Sequence, residues 1–248
     1  MRGISVVVPT FNSSRTLPIL TQRIFATMND IGGEFELILV NDGSSDNTWE
    51  VIVDLASKHY HIKGFNLSKN FGQHNALLCG VRSAGFDTCV TLDDDLQHPP
   101  EEIPKLIKKL GQGFDIIYGV PRTLNHGLIR NFVSTMIRWL GQTLFRIRRG
   151  KILSAFRAFR TSLRSSFKDF QGPYVSIDPM LGWNTDRIGY VETRHDVRHS
   201  EKSNYTLLKL FKLSLVMFVT FNCRSLLAFQ NPGKKPSYIV RDITPVLK

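Results

Sequence analysis

Val90-Thr91-Leu92-Asp93-Asp94-Asp95-Leu96-Gln97-His98-Pro99-Pro100 is an apolar run that climbs out of a core and ends in three consecutive acids. Like charges this close repel, and burial strengthens the repulsion. Such a cluster persists most easily under a cation. Strand residues alternate faces, so Asp93 and Asp95 can point the same way. Two hard oxygen donors two residues apart suit Mg²⁺ or Mn²⁺ that keeps waters and diphosphate oxygens as its other ligands. The alternative is a solvated acidic turn in which Pro99-Pro100-Glu101-Glu102 starts a helix.

Upstream of this stretch the chain keeps a regular rhythm. Ile4–Val8 is a continuous apolar, β-branched run and reads as a strand buried on both faces. It stops at Pro9-Thr10-Phe11-Asn12-Ser13-Ser14, where Asn12 or Ser13 can cap a helix whose inner face holds Leu17, Leu20, Ile24 and Phe25. Phe35–Val40, Ile62–Leu67, Asp87–Leu92 and Phe114–Gly119 read as further strands. Helical patterns separate them, with Ile52, Leu55 and Ala56, then Leu77, Leu78 and Val81, then Glu101–Leu110. Alternation of this kind over about 120 residues predicts an α/β fold, a parallel sheet with helices on both faces. Ligands of such sheets bind at the carboxyl ends of the strands. Three polar loops occupy that edge: Pro9–Ser14, Asn41–Asn47 and Asp93–His98. There is no G-x-G-x-x-G and no G-x-x-x-x-G-K-[ST], which excludes the dinucleotide fingerprint and the P-loop.

After Arg122 the rhythm breaks and the charge changes sign. Residues 1–121 carry ten Lys and Arg against fourteen Asp and Glu; residues 122–168 carry eleven Lys and Arg and no acid. The middle segment alone matches the net charge of +11. A basic block of this kind suits a polyanion: nucleic acid, an anionic membrane or substrate phosphates. Leu128–Phe145 has helical periodicity, and Arg187–Arg198 reads as a strand, apolar over Ile188–Val191 and then charged. Leu207–Phe229 is strongly apolar but interrupted by Lys209, Lys212, Asn222 and Arg224, which predicts a helix lying at a membrane interface with its lysines snorkelling. Asn231–Lys248 reads as an extended tail. The expected organisation is a catalytic domain over 1–205, in halves 1–121 and 122–205, then an interface helix over 206–229 and a tail over 230–248. Three cysteines show neither metal spacing nor a disulfide framework, which fits a reducing compartment. No leader-like segment precedes the first strand, and no apolar stretch reaches the ~20 residues needed to span a bilayer. The expected location is the cytoplasm, peripherally attached to the cytoplasmic face of the membrane.

With these loops in place, the chain resembles the inverting glycosyltransferases of family 2. These have a GT-A (Rossmann-like) fold, and the resemblance is closest to the group that includes dolichyl-phosphate mannosyltransferases and undecaprenyl-phosphate sugar transferases. Val6-Val7-Val8-Pro9-Thr10-Phe11-Asn12 is similar to the family's opening strand and P-x-[YF]-N turn. Val40-Asn41-Asp42-Gly43-Ser44-Ser45-Asp46-Asn47-Thr48 is similar to its V-[DN]-D-G-S-x-D-x-T loop, and Asn70-Phe71-Gly72-Gln73 to its N-x-G-x turn. Leu92–Glu101 is similar to L-D-x-D-L-Q-x-P-P-E, and Phe156-Arg157 stands where the family has F-R. Arg198–Tyr205 resembles R-x-x-G-x-S-K-Y, with Glu201 and Asn204 in place of the Gly and Lys.

The resemblance implies roles for the matching positions. Pro9, Phe11 and Asn12 would line the nucleotide base and ribose, Asp42 would contact base or ribose, and Asp94 would belong to the nucleotide-sugar site. Asp93 and Asp95, with Gln97, would hold Mg²⁺ or Mn²⁺ on the donor diphosphate. Arg122, and Arg130 with Ser134, would bind donor or acceptor phosphate. Arg198 and Ser203 would close over the site, with Lys202 substituting for the family's Lys. Asp95, Arg122 and Arg198 are the expected catalytic residues. The implied partners are a nucleotide-diphosphate sugar, a polyprenyl phosphate or other lipid-linked acceptor, and an anionic membrane surface, with a membrane-anchoring partner or a second copy in place of the group's usual transmembrane pair. A lipid phosphate is already an anion near neutral pH and needs positioning more than a general base. A sugar-hydroxyl acceptor is the main alternative. It needs a carboxylate base, for which Asp178 and Asp196 are the candidates. A catalytically silent nucleotide-sugar binder shares the donor site. A nucleic-acid-binding module is disfavoured, because the basic segment lacks regularly placed aromatics for base stacking.

Overall fold

Ile4–Thr10 (β1) and Phe35–Asn41 (β2) are buried along their whole length, as expected of apolar runs covered on both faces. The computed structural model describes residues 2–121, 154–170, 175–182, 185–196 and 236–245. The expected alternation is present: α1 (Leu17–Ile31), α2 (Thr48–Lys58), β3 (Ile62–Leu67), α3 (Gln73–Ser83), β4 (Thr88–Thr91), α4 (Ile103–Leu110) and β5 (Ile116–Pro121). β1 pairs in parallel with β2 and β4, and β2 with β3. Val6 and Val8 join the core that packs α1, α2 and α4, while Val7 joins the core that packs α3. That split is the period-2 alternation of a strand with helices on both sides.

Two strands depart from the expected order. β6 (Arg157–Arg160) inserts antiparallel between β4 and β5, so β5 is not the neighbour of β4. β7 (Ile188–Thr193) then pairs in parallel with β5. The tail does more than extend: β8 (Val240–Ile243) pairs antiparallel with β3. The described strands run β7-β5-β6-β4-β1-β2-β3-β8, a mostly parallel mixed sheet. A short helix, α5 (Ile177–Gly182), adds Ile177, Met180 and Leu181 to the α3 side. The helix at 128–145 and the interface helix at 207–229 lie outside the described residues. Among the described residues no helix is long and apolar enough to cross a membrane.

The cap of α1 also differs. Thr16, not Asn12 or Ser13, occupies the N-cap and makes no side-chain capping bond. The Ser13 carbonyl instead accepts from the Thr16 and Leu17 amides, and its hydroxyl is drawn to an acid described below.

Glu36 is buried in β2. It accepts from Ser5 Oγ at 2.7 Å, Lys63 Nζ at 2.6 Å and the Gly85 amide at 2.5 Å. Burial pushes its carboxyl up, but these three donors outweigh it and leave the pKa below its ordinary 4.5. A depressed folded-state pKa contributes stability that is present above 4.5 and lost as pH falls through the lower folded value. Glu36→Ala is expected to cost about 2–3 kcal/mol at neutral pH, by leaving the buried Ser5 hydroxyl and the Gly85 amide without their acceptor. Urea unfolding at pH 7 and pH 3 checks this, because the difference between wild type and variant should shrink at the lower pH.

Candidate active site

β1, β2 and β4 end on one rim, at Thr10, Asn41 and Thr91. The β1–β4 ladder stops at Val7 and Thr91, so Pro9 lies beyond it, where a missing N–H leaves no gap on that side. Pro9 is itself buried. The residues that emerge on the rim are Phe11, 43% exposed, and the exposed Asn12. Asn12 has φ 55°, a left-handed conformation that Asn tolerates better than most residues.

Four consecutive amides of this loop donate to side chains from elsewhere in the chain. Phe11 N–H donates to Asp94 Oδ2 at 3.0 Å, and Asn12 N–H to Ser44 Oγ at 2.9 Å. Ser13 N–H donates to Thr48 Oγ1 at 2.8 Å, and Ser14 N–H to Asp46 Oδ2 at 3.2 Å. Asn12 Oδ1 accepts the Ser45 amide at 2.9 Å. The polar loop after β2 therefore builds the loop after β1, and Asp46 also accepts the Thr48 amide at the start of α2.

Asp42 is buried and bidentate: Oδ1 accepts the Phe71 amide at 2.7 Å and Oδ2 the Gly72 amide at 2.8 Å. Burial pushes its pKa up to about 6 despite both donors. The resemblance gives Asp42 to the nucleotide; here both oxygens serve the turn before α3, and a nucleotide contact would share them. Gly43 (φ 65°) lets the two loops meet, since a Cβ there would collide with the Lys69 and Asn70 backbone. The same turn aims Gln73 Nε2 at Asp93 Oδ1, 2.5 Å away.

The acids themselves are divided in use. β4 ends before them, so strand alternation does not orient them. Asp94 accepts from the Phe11 amide and from Ser13 Oγ, and so latches the first loop. Asp95 Oδ1 accepts the Gln97 amide at 3.0 Å. Burial, then the charges of Asp95 and Asp94, push the Asp93 carboxyl up to about 7. Leu96, left-handed at φ 63°, is 3% exposed and pins the loop into the core. The Gln97 carbonyl accepts the Asp196 amide at 2.9 Å and lies 3.1 Å from His195 Nδ1. The strand end after β7 is thereby tied to the acid loop.

The strongest group missed by sequence reasoning is Arg157, whose family position is known from the F-R match but whose partners are not. It is 1% exposed in β6, opposite Thr91. Its Nε donates to Thr91 Oγ1 at 3.0 Å and its NH1 pairs with Asp178, which also accepts from Tyr118 Oη at 3.0 Å. Among the charges acting on Asp93, that of Arg157 lowers its pKa. Asp178, a candidate base, is therefore held in a buried ion pair. The other candidate, Asp196, lies 3.9 Å from Arg23. Arg122, Arg130, Ser134, Arg198, Lys202 and Ser203 lie outside the described residues.

Among the described residues no three His, Cys, Asp or Glu side chains converge on one metal position. Asp93 and Asp95 do fit a hard cation: they are half-buried carboxylates two residues apart, and burial first, then the charges of Asp95 and Asp94, raise Asp93. Such a cation would take the rest of its shell from water and ligand oxygens.

The profile described as glycosyl transferase family 2 matches residues 5–170. An undecaprenyl-phosphate 4-deoxy-4-formamido-L-arabinose transferase of Pectobacterium carotovorum is 34% identical over 220 residues. That match covers 86% of this chain but only 65% of the relative, so the chain spans just under two-thirds of the protein it matches. The counterpart from Pectobacterium atrosepticum is 33% identical over the same coverage. Among solved structures, glucosyl-3-phosphoglycerate synthase from Mycobacterium tuberculosis in complex with Mn²⁺ and UDP-glucose superposes with a TM-score of 0.62 at 20% identity, covering 99% of this chain and 90% of that one. At that identity the likeness shows the GT-A fold alone. Taken with the loops interlocked at the ends of β1, β2 and β4, the profile and the relatives place the chain in glycosyl transferase family 2.

Proposed function

We propose that the protein transfers a sugar from a nucleotide-diphosphate sugar to a polyprenyl phosphate with inversion, in surface polysaccharide or glycolipid biosynthesis. The observation that carries this reading is the rim itself. Phe11 and Asn12 stand on a pre-formed loop beside two acids suited to a cation-bound diphosphate. The relatives' names supply the acceptor class.

In this reading an acceptor phosphate oxygen attacks the anomeric carbon, the bond from that carbon to the donor diphosphate breaks, and the nucleoside diphosphate leaves with the electron pair. Mg²⁺ or Mn²⁺, held by Asp93 and Asp95 with Gln97, would neutralise charge on the leaving group. The chain's own residues do the positioning. Phe11 offers its ring and Asn12 its exposed edge to the nucleotide, Asp94 keeps their loop in place, and Gln73 fixes the Asp93 carboxylate. Arg122, Arg130, Ser134, Arg198, Lys202 and Ser203 complete the proposal as phosphate-binding groups that stabilise charge electrostatically. Attachment to the cytoplasmic face of the membrane through residues 206–229 belongs to the same proposal, as do the boundaries of the catalytic domain at 1–205.

A sugar-hydroxyl acceptor shares the donor site but needs a base. Both candidate carboxylates, Asp178 and Asp196, face arginines, which favours the phosphate acceptor. The test is product formation from a panel of UDP-, GDP- and dTDP-sugars with Mg²⁺ or Mn²⁺ on short-chain polyprenyl phosphate in detergent. Metal-dependent appearance of a lipid-phosphate sugar is the expected result. Transfer to a glycan primer, with none to the lipid phosphate, would replace the acceptor.

A further inference from the structure

The C-terminal strand reaches the donor loop through an unbroken chain of side-chain hydrogen bonds. Asp242 of β8 accepts from Asn66 Nδ2 at 3.0 Å. Asn66 Oδ1 accepts from Asn41 Nδ2 at 2.8 Å. Asn41 Oδ1 accepts the Ser44 amide at 3.2 Å and the Ser44 hydroxyl. With its hydroxyl hydrogen directed at Asn41, Ser44 Oγ presents a lone pair to the Asn12 amide, 2.9 Å away. The two amides in the middle are buried, Asn66 at 8% and Asn41 at 2% exposure.

We infer that Asp242 is a positioning residue for the donor site, acting through Asn66, Asn41 and Ser44 to set the conformation of Asn12. An asparagine amide can be turned either way, but a carboxylate only accepts. Asp242 therefore obliges Asn66 to turn its NH₂ outward and its oxygen toward Asn41. Asn41 must then turn its own NH₂ to Asn66 and its oxygen to Ser44. With Asn41 reversed, its NH₂ would face the Ser44 N–H, donor against donor, and the Ser44 hydroxyl would lose its acceptor. The carboxylate at the sheet edge and the Ser44 N–H at the rim, neither of which can change role, thus hold the chain in one polarity from its two ends, and Asp242 is the end that a side-chain substitution can remove. The dock that holds Asp242 in place is independent of this chain. Gly64 N–H donates to Thr244 Oγ1 at 2.9 Å, and the Thr244 amide donates to the Gly64 carbonyl at 3.0 Å. Asp242 is itself about half-exposed, and its other near charge is Arg241, at 3.6 Å. Losing the carboxylate therefore removes one fixed end of the chain rather than burial.

The consequence for nucleotide binding rests on the donor-site reading above; the polarity of the chain does not. Two readouts keep them apart. In Asp242→Asn the amide exchange of Asn12 and Ser44 should quicken about ten-fold while that of β1 and β2 is unchanged. The Kd for UDP with Mn²⁺ should rise about five-fold, the size of one hydrogen bond, with Tm preserved. The reciprocal exchange Asp242→Asn/Asn66→Asp puts the accept-only group one step inward, where it still obliges Asn41 to turn its NH₂ outward. That double variant should recover both readouts. Unchanged exchange at Asn12 and Ser44 in Asp242→Asn would overturn the inference. So would exchange that quickens across the whole sheet together with a fall in Tm, since that is the mark of a strand that only braces the edge. Quickened exchange confined to Asn12 and Ser44, in a protein that binds none of UDP, GDP or dTDP, would support the chain's polarity and remove the donor-site reading instead.

Discussion

Asp95→Ala is expected to leave a folded protein whose sugar transfer falls by about 10³-fold or more, the scale of losing charge stabilisation on a leaving diphosphate. The fold should survive because Asp95 is a half-buried loop residue whose Oδ1 accepts the Gln97 amide. Leu96 still anchors the loop in the core, and Asp94 still holds Phe11 and Ser13. Thermal unfolding and turnover, measured on one preparation, separate the two effects. Transfer at the wild-type rate would remove Asp95 from the metal site. Asp94→Ala makes the useful contrast. It releases the Ser13 hydroxyl and leaves the Phe11 amide with Ser13 Oγ alone, so it should weaken donor binding through the loop and leave metal affinity largely in place.

The second large effect concerns stability. Arg157→Ala is expected to cost about 3–5 kcal/mol, because it strands Asp178 as a buried charge whose remaining hydrogen-bond donor, among the described residues, is the Tyr118 hydroxyl. For a chain of this size that corresponds to a fall in Tm of about 10 °C. Urea unfolding of Arg157→Ala and of Arg157→Met/Asp178→Leu checks the cause. The double variant, with no orphaned charge, should regain most of the loss. A change below about 1 kcal/mol in Arg157→Ala would mean that the pair contributes little. Arg157 also supplies a positive charge to Asp93.

The first five strands were legible because each is a local apolar run closed by polar loops, and a parallel sheet needs little more than that rhythm. The three loops on the rim followed from it, since chain direction alone places Asp42 and Asp93–Asp95 on one edge. Strand adjacency was not legible. Arg157–Arg160 is four residues with a cation at each end, and its place between β4 and β5 depends on pairing across more than sixty residues of sequence to β4 and about forty to β5. The burial of Arg157 comes from Asp178 and Thr91, neither of them near it in sequence. The tail, with three prolines, carried no strand pattern, and β8 forms because β3 presents an unpaired edge to it. The separate duties of the acids were also hidden. Asp93, Asp94 and Asp95 are the same residue type, and only the loop after β1, folded back over Asp94, tells them apart.

The interlocked amides of Phe11–Ser14 have a practical consequence for redesign. Apart from Ser13 Oγ, which also accepts the Phe11 amide, their partners are Asp94, Ser44, Thr48 and Asp46, none of which belongs to the loop. The path of the loop is thus encoded largely outside it. What the neighbours grip at position 11 is the backbone, not the exposed ring. A library at Phe11 can therefore sample other aromatic, aliphatic and polar side chains on an unchanged mount, and a shift in base preference could be selected there without a parallel search for stabilising changes. A library at Asp46 or Asp94 would dismantle the mount.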